Sequence, residues 1–252
     1  MMDTRDQTVI AISIISAILL FGTLYSVVYN TYLDTSNPLL THLPHRLATT
    51  HYFATKSNPI NVYFIKKAWG WTSAAFFFLW FTSPPQIRSV HRILKYLILL
   101  VIWLLFTSWF FGPPIFERVI VASGGQCVIS LPSGDPVIVP NDLCYRKTTV
   151  VPETNPTLFT TATTFTLPPG WGAVPRLRKG HDVSGHVFLL TLSALFLFDQ
   201  LLPSFRVAQW SSLHRWAIIT NIFIIGVCLF AIGTTAVYFH SPFEKFTGFR
   251  EL

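Results

Sequence analysis

Between Val9 and Tyr29 the chain runs without a single charged side chain. That is about the length an α-helix needs to cross a ~30 Å hydrocarbon core. Lipid offers backbone N–H and C=O groups no partner, so such a segment must close its hydrogen bonds internally as a helix. Four further apolar stretches follow, at Asn61–Thr82, Ile93–Gly112, Val187–Leu202 and Trp216–Phe239. The first has too long an apolar core for a signal peptide and no clear small-residue cleavage site, so it reads as a retained anchor. Lys66 and Lys67 stand near the start of the second, whose densest apolar run is Ala75–Phe81. Pro113-Pro114 stops the third. The fourth is short, with Asp199 near its end and Pro203 beyond. A carboxylate there is costly unless partnered, and Asp199 is assigned a structural role. The expected fold is an all-α polytopic membrane protein, a single membrane domain over residues 1–252. Its spans lie at about 9–29, 61–82, 93–112, 187–202 and 216–239, with a long loop at 113–186.

Composition excludes an ordinary soluble domain, since 51% of residues are hydrophobic and only 12% charged, with 23 Phe and 8 Trp. The net charge of +7 is spread between the apolar runs instead of massed on one stripe. Such charge sets topology or meets anionic head groups, and nucleic acid is not an expected partner. The loop 83–95 carries Arg88, Arg92 and Lys95 and no acid, and the loop 203–215 carries Arg206 and Arg215 and no acid. Both are therefore expected on the cytosolic side, together with the N-terminus. The loop 113–186, His186 and His240 then face the other side.

The long loop holds β-like fragments at Arg118–Val121 and Val137–Val139 and a Thr-rich stretch at 148–166, read as a flexible linker. Cys127 and Cys144 lie in this loop; they form a disulfide in an oxidising compartment or remain two thiols. Cys228, inside an apolar run, is a packing residue. His42-x-x-His45 is too weak a pattern for a zinc site, and no metal or cofactor is expected.

Chemistry concentrates at two histidines. His186 closes Gly180-His181-Asp182-Val183-Ser184-Gly185-His186 just before the fourth span, and His240 follows the fifth. One crossing out and one back put both at the same membrane face. Asp182 or Ser184 can cap the helix start, and Gly185 allows a close approach to the backbone. The positive helix end would attract a phosphate there. Glu244, four residues after His240, would stand beside it if the helix continued, fixing its tautomer, although Pro242 intervenes. The plain alternative is a capped helix with two interfacial histidines. Lys66, and Arg176, Arg178 and Lys179 upstream of the Ser-Gly-His run, can neutralise phosphate or simply snorkel to head groups. The pattern points to phosphoryl transfer on a lipid-like substrate.

These residues resemble the fat storage-inducing transmembrane family in its fungal form. Asn58-Pro59-Ile60-Asn61-Val62-Tyr63-Phe64-Ile65-Lys66-Lys67-Ala68-Trp69-Gly70-Trp71-Thr72 is similar to that family's Asn-x-Tyr-Phe-x-Lys-x-x-Trp-x-Trp-Thr pattern. Gly180–Leu190 is similar to its Asp-[Ile/Val]-Ser-Gly-His-x-Phe-Leu-Leu block. Thr235–His240 with Glu244-Lys245, and Phe116-Glu117-Arg118 with Gly125-Gln126-Cys127, complete the match.

The resemblance implies an endoplasmic-reticulum hydrolase distantly similar to lipid phosphate phosphatases, with its site facing the lumen. It would cleave the diphosphate of fatty acyl-CoA to acyl 4′-phosphopantetheine and adenosine 3′,5′-bisphosphate, in support of phospholipid metabolism and lipid droplets. His240 would be the nucleophile and His186 the acid. Ser184, Gly185 and Lys66 would bind substrate, and Glu244 and Asp182 would orient the histidines. Alternatives are a phosphatidic or lysophosphatidic acid phosphatase, and a non-enzymatic protein that binds diacylglycerol and triacylglycerol. Two departures stand out. Gly233-Thr234 occupies the place of the lipid phosphate phosphatases' Ser-Arg, which makes Lys66 the first choice for neutralising phosphate. The family also has a sixth span after the second His; residues 241–252 are too few for one, so the expectation is a truncated end or an interfacial segment.

Overall fold

The computed structural model describes residues 4–33, 45–108, 113–133, 135–159 and 168–250. Its elements in chain order are α1 (Thr4–Val28), α2 (Ala68–Thr82), α3 (Val90–Thr107), α4 (Ile115–Ala122), β1 (Gln126–Ser130), β2 (Pro136–Ile138), α5 (Asn141–Arg146), β3 (Arg176–Arg178), α6 (Gly185–Leu201), α7 (Ser212–Tyr238) and α8 (Pro242–Arg250). Among the described residues, four helical stretches are long and apolar enough to cross a membrane: Asp6–Val28, Val90–Thr107, Gly185–Arg206 and Ser212–Tyr238. This is a mostly helical, multi-pass membrane protein.

Among the described residues two units are distinguished by their internal packing, one made of residues 4–33, 45–103 and 184–250, the other of described residues between 104 and 183. In the first, α6 is the central helix. Val187, Phe188, Leu190 and Leu197 on it are fully buried, and it packs against α1, α2, α7 and α8. Between helices in lipid, the hydrophobic effect contributes little, so close packing and polar contacts hold the bundle. Phe76 of α2 stacks on Tyr96 of α3 at 5.1 Å, and Trp69 stacks on Trp103 at 5.7 Å. Asn221 Nδ2 of α7 donates to the Ala75 carbonyl of α2 at 2.9 Å.

The far end of the bundle from His186 is polar and internally paired. Arg92 Nε donates to Gln200 Oε1 at 2.8 Å and its Nη1 to Ser83 Oγ at 3.1 Å. Lys95 meets Asp199 at 2.9 Å, which supplies the partner that a carboxylate at this depth requires.

The stretch expected as a single helix over 61–82 is not one. A π-turn at Ile60–Phe64 and a 3₁₀ turn at Ile65–Lys67 precede α2, which has 15 residues. The wide turn carries Asn61 into the interior, and such turns are frequent at functional sites. The other four helices start or stop a few residues from the expected bounds; for α6 and α7 the reason is that Ser184 and Ser211 cap them in polar sequence outside the apolar runs.

The second unit departs from an all-α reading. It holds a three-stranded antiparallel sheet in the order β2-β1-β3, with Val128 opposite Ile138 and Cys127 opposite Leu177. Arg118–Val121, expected as strand, lies in helix α4 despite its β-branched residues, after the helix-compatible start Pro114 and with Glu117 in the first turn. Cys127 and Cys144 are joined by a disulfide. The described part of the Thr-rich stretch is packed: Val150 pairs with Ala173, and Val150 and Phe159 share the core with Cys127, Ile129 and Val139. Residues 160–166 of that stretch, and His42, lie outside the described residues.

Candidate active site

α6 and α7 run antiparallel, so the start of one meets the end of the other. The His186 and His240 rings lie with centroids 6.4 Å apart. His186 is the second residue of α6. His240 follows the last residue of α7 by two positions and adopts a left-handed backbone, φ +60°. That conformation is uncommon outside glycine and marks a position held by its surroundings.

The chain then turns directly into α8 through a reciprocal cap. Ser241 Oγ accepts from Glu244 N at 3.4 Å, and Glu244 Oε2 accepts from Ser241 N at 2.8 Å. Ser241-Pro242-Phe243-Glu244 is thus a capping box with Pro at the first helical position, where its missing N–H costs nothing. Glu244 Oε2 also lies 3.6 Å from His240 Nδ1, an ion-pair separation just beyond hydrogen-bonding range. Glu244 is buried, with 3% of its side chain exposed. The main chain of the same residue ties the two histidine blocks together, since Ser184 N donates to the Glu244 carbonyl at 3.1 Å. Gly248 makes this approach possible: a Cβ there would lie 2.6 Å from the Ser184 carbonyl oxygen.

His186 has its own orienting partner, which the sequence reading missed. Asn61 Nδ2 donates to the Lys56 carbonyl at 2.6 Å, which fixes the amide's orientation. Its Oδ1 therefore faces His186 Nε2, at 3.3 Å. An amide oxygen only accepts, so Nε2 of His186 carries a hydrogen and Nδ1 is the atom free to gain or lose one. Lys56 and Lys66, both exposed, stand near enough to bear electrostatically on His186.

Ser184 is fully buried as the N-cap of α6, its Oγ accepting from Val187 N at 3.4 Å. Gly185 opens the helix beside it. Asp182 belongs to the other unit, two residues before Ser184 in the chain. The segment from His45 to Asn61 is anchored by His45, whose Nδ1 accepts from Leu47 N at 3.0 Å and whose Nε2 donates to the Thr31 carbonyl at 2.9 Å. Burial pushes the pKa of His45 below the usual histidine value. Lys245 is buried too, its Nζ donating to Ser26 Oγ at 3.0 Å and to the Ala236 carbonyl at 2.6 Å, which pins α8 to α1 and α7.

A pair of histidines, one hydrogen-bonded to an amide and the other facing a carboxylate, with lysines near enough to act on them, has the parts of a phosphoryl-transfer centre. Residues 49–218 match the model of a family described as fat storage-inducing transmembrane protein, and the chain belongs to that family. Asn61, Lys66 and the Ser184-Gly185-His186 block lie inside the matched segment, while His240 and Glu244 lie beyond it. Relatives span more of the chain. Acyl-coenzyme A diphosphatase fit1 of Schizosaccharomyces pombe is 27% identical over 245 residues, covering 97% of this chain and 81% of that one. Acyl-coenzyme A diphosphatase FITM2 of Danio rerio is 24% identical over 209 residues, covering 80% and 70%. The Homo sapiens protein of the same name is 26% identical over 204 residues, covering 78% and 67%. No solved structure matches.

Proposed function

We propose that this chain is an acyl-coenzyme A diphosphatase of the endoplasmic-reticulum membrane, supporting membrane lipid homeostasis and lipid droplet formation. The observation that carries the reading is the His186–His240 pair, the first ring hydrogen-bonded to Asn61 and the second facing the Glu244 carboxylate 3.6 Å away. The activity in the names of the relatives supports the choice of substrate.

Glu244 takes the Nδ1 hydrogen of His240 and leaves a lone pair on Nε2. That nitrogen attacks one phosphorus of the diphosphate; a P–N bond forms as the bond from that phosphorus to the bridging oxygen breaks. The negative charge of the bound diphosphate, set against the lysines and the burial that favour the neutral ring, draws a second proton onto His186 at Nδ1. The ring's Nε2–H is committed to Asn61, and its Nδ1 gives a proton to the departing oxygen. Water then attacks the phosphorus on His240, His186 Nδ1 takes the water's proton, and His240 is freed. One water is consumed, and acyl 4′-phosphopantetheine and adenosine 3′,5′-bisphosphate leave. Lys66 and Lys56 offset the substrate's charge. Ser184 Oγ occupies the N–H of Val187, and the N–H groups of Gly185 and His186 precede it at the positive end of α6, where an anion is favoured.

The membrane arrangement proposed with this has five crossings, counting α2 and its wide turn as one. The histidine end and the loop 113–186, which carries Asp182, face the lumen. Arg88, Arg206 and Arg215 mark the opposite, cytosolic end.

Purified protein offered oleoyl-CoA, phosphatidic acid and lysophosphatidic acid separates the readings by product mass. The proposal expects adenosine 3′,5′-bisphosphate from the first. Preferred release of inorganic phosphate from either lipid phosphate would make the chain a lipid phosphate phosphatase. No turnover with intact neutral-lipid binding would make it a lipid-binding protein.

A further inference from the structure

A groove of about 540 Å³ opens between α1 and α7, and its walls are almost wholly apolar. Its residues on α7 run from Leu229 to Tyr238, so it extends ~14 Å along the helix at 1.5 Å per residue. Two glycines make it. A Cβ on Gly22 would lie 2.6 Å from the Ala236 Cβ, so α1 and α7 approach closely at that level. A Cβ on Gly233 would meet Ile18 Cγ2 at 3.6 Å, an ordinary contact, so the helices are close here too, and these two residues meet at the floor of the groove with room for no more than a small side chain between them.

The upper end of the groove lies where the histidines do. Tyr238 ends α7 two residues before His240; Phe53 lines the groove towards its other end, its ring 5.2 Å from that of Phe230, about two helical turns earlier on α7. Phe53 sits on the same short segment as Lys56 and Asn61, the residues that orient and flank His186. His51, also on this segment, packs its ring 5.8 Å from Tyr238. One segment therefore walls both the polar centre and the apolar groove.

We propose that this groove holds the acyl chain of the substrate, and that Gly233 and Ile18, which meet at its floor, set the chain length accepted. The inference rests on the acyl-CoA reading of the histidine pair. The polar arm between diphosphate and thioester would cover the way from the histidines to Tyr238, and the aliphatic chain would lie along the groove over the seam of α1 and α7. In a bilayer the chain is already out of water. The groove therefore adds packing and selection by length, and little gross affinity.

The test compares kcat/KM for oleoyl-CoA and octanoyl-CoA with the full-length protein in detergent. Gly233→Leu fills the groove at Ile18, and the oleoyl-to-octanoyl ratio should fall at least about tenfold, since a misfit of one methylene in an apolar pocket is worth roughly 10–200-fold. Gly233→Ala, whose Cβ fits without displacing Ile18, should move the ratio the same way by about threefold. It keeps the test decisive if the leucine variant does not fold. Ile18→Ala should raise the ratio. Ratios equal to wild type in Gly233→Ala and Ile18→Ala would mean that the groove houses ordinary bilayer lipid. That result overturns the inference and leaves the reading of the histidine site intact. No cleavage of either thioester's diphosphate by the wild-type protein would overturn both.

Discussion

Glu244 reaches His240 across a break in the helix, not along one. The spacing of four residues would bring them together on a continuous helix, but α7 ends at Tyr238 and α8 begins at Pro242. The contact, 3.6 Å between Glu244 Oε2 and His240 Nδ1, is made by the capping box of the new helix. One carboxylate thus caps α8 and orients the proposed nucleophile.

Those two duties can be separated. Glu244→Gln keeps an acceptor for Ser241 N but removes the charge, so the protein should fold normally while kcat falls on the order of 10²-fold or more. Glu244→Ala loses the cap as well and should cost an additional ~1 kcal/mol of stability. Unchanged kcat in Glu244→Gln, measured beside unchanged thermal stability, would reduce Glu244 to a cap.

Asn61→Ala removes the acceptor that fixes the His186 tautomer. The expected result is a lower kcat with KM little changed, and a pH–rate profile whose His186-dependent limb moves. A fall in stability with an unmoved profile would mean that Asn61 only closes its turn.

Lys245 supplies a pH dependence of stability. Burial pulls its pKa down to about 8, against the opposing pull of Glu244. The unfolded chain therefore holds more protons on this group between about pH 8 and the ordinary lysine value, and stability should rise with pH across that window. Apparent unfolding temperatures in detergent should show the rise in wild type and lose it in Lys245→Met. An equal rise in both would assign it to other groups.

The disulfide Cys127–Cys144 closes a separation of 17 residues inside the sheet-containing unit. Replacing both cysteines by alanine should destabilise that unit by about 3 kcal/mol. Non-reduced peptide mapping should show the linked pair, and full alkylation of both thiols before reduction would contradict it.

How much of this was legible in the sequence differs by element. α1, α3, α6 and α7 are long, apolar and poor in charge, so their existence is plain, and α6 and α7 begin before their apolar runs because Ser184 and Ser211 cap them. α8 is short and has no apolar face to announce it, since it buries Glu244 and Lys245 and exposes Phe243 and Phe246, and Pro242 reads as a breaker; its signal was Ser241-Pro242-Phe243-Glu244, which starts a helix instead. β1 alternates buried and exposed residues at Gln126–Ser130, a signal hidden by the more strongly β-branched run at Arg118–Val121, which is helical. At the site, topology alone placed His186 and His240 together. Asn61 was quoted only as part of a pattern, because nothing in an apolar stretch says which way a lone amide turns. That is decided by the π-turn and by the Lys56 carbonyl. Ser184 was expected to touch substrate, and its hydroxyl is occupied at the start of α6.

The central claim is that His240 attacks phosphorus while His186 moves the proton. Its most direct test is rapid quench of the purified protein with oleoyl-CoA, followed by mass analysis of the peptide carrying His240. The account predicts an acid-labile adduct on His240 bearing one half of the cleaved diphosphate. The adduct should be present in the wild type and absent in His240→Ala, and turnover should fall roughly 10²–10⁴-fold in His186→Ala. Near-normal hydrolysis by His240→Ala, or its adduct on another residue, would contradict it.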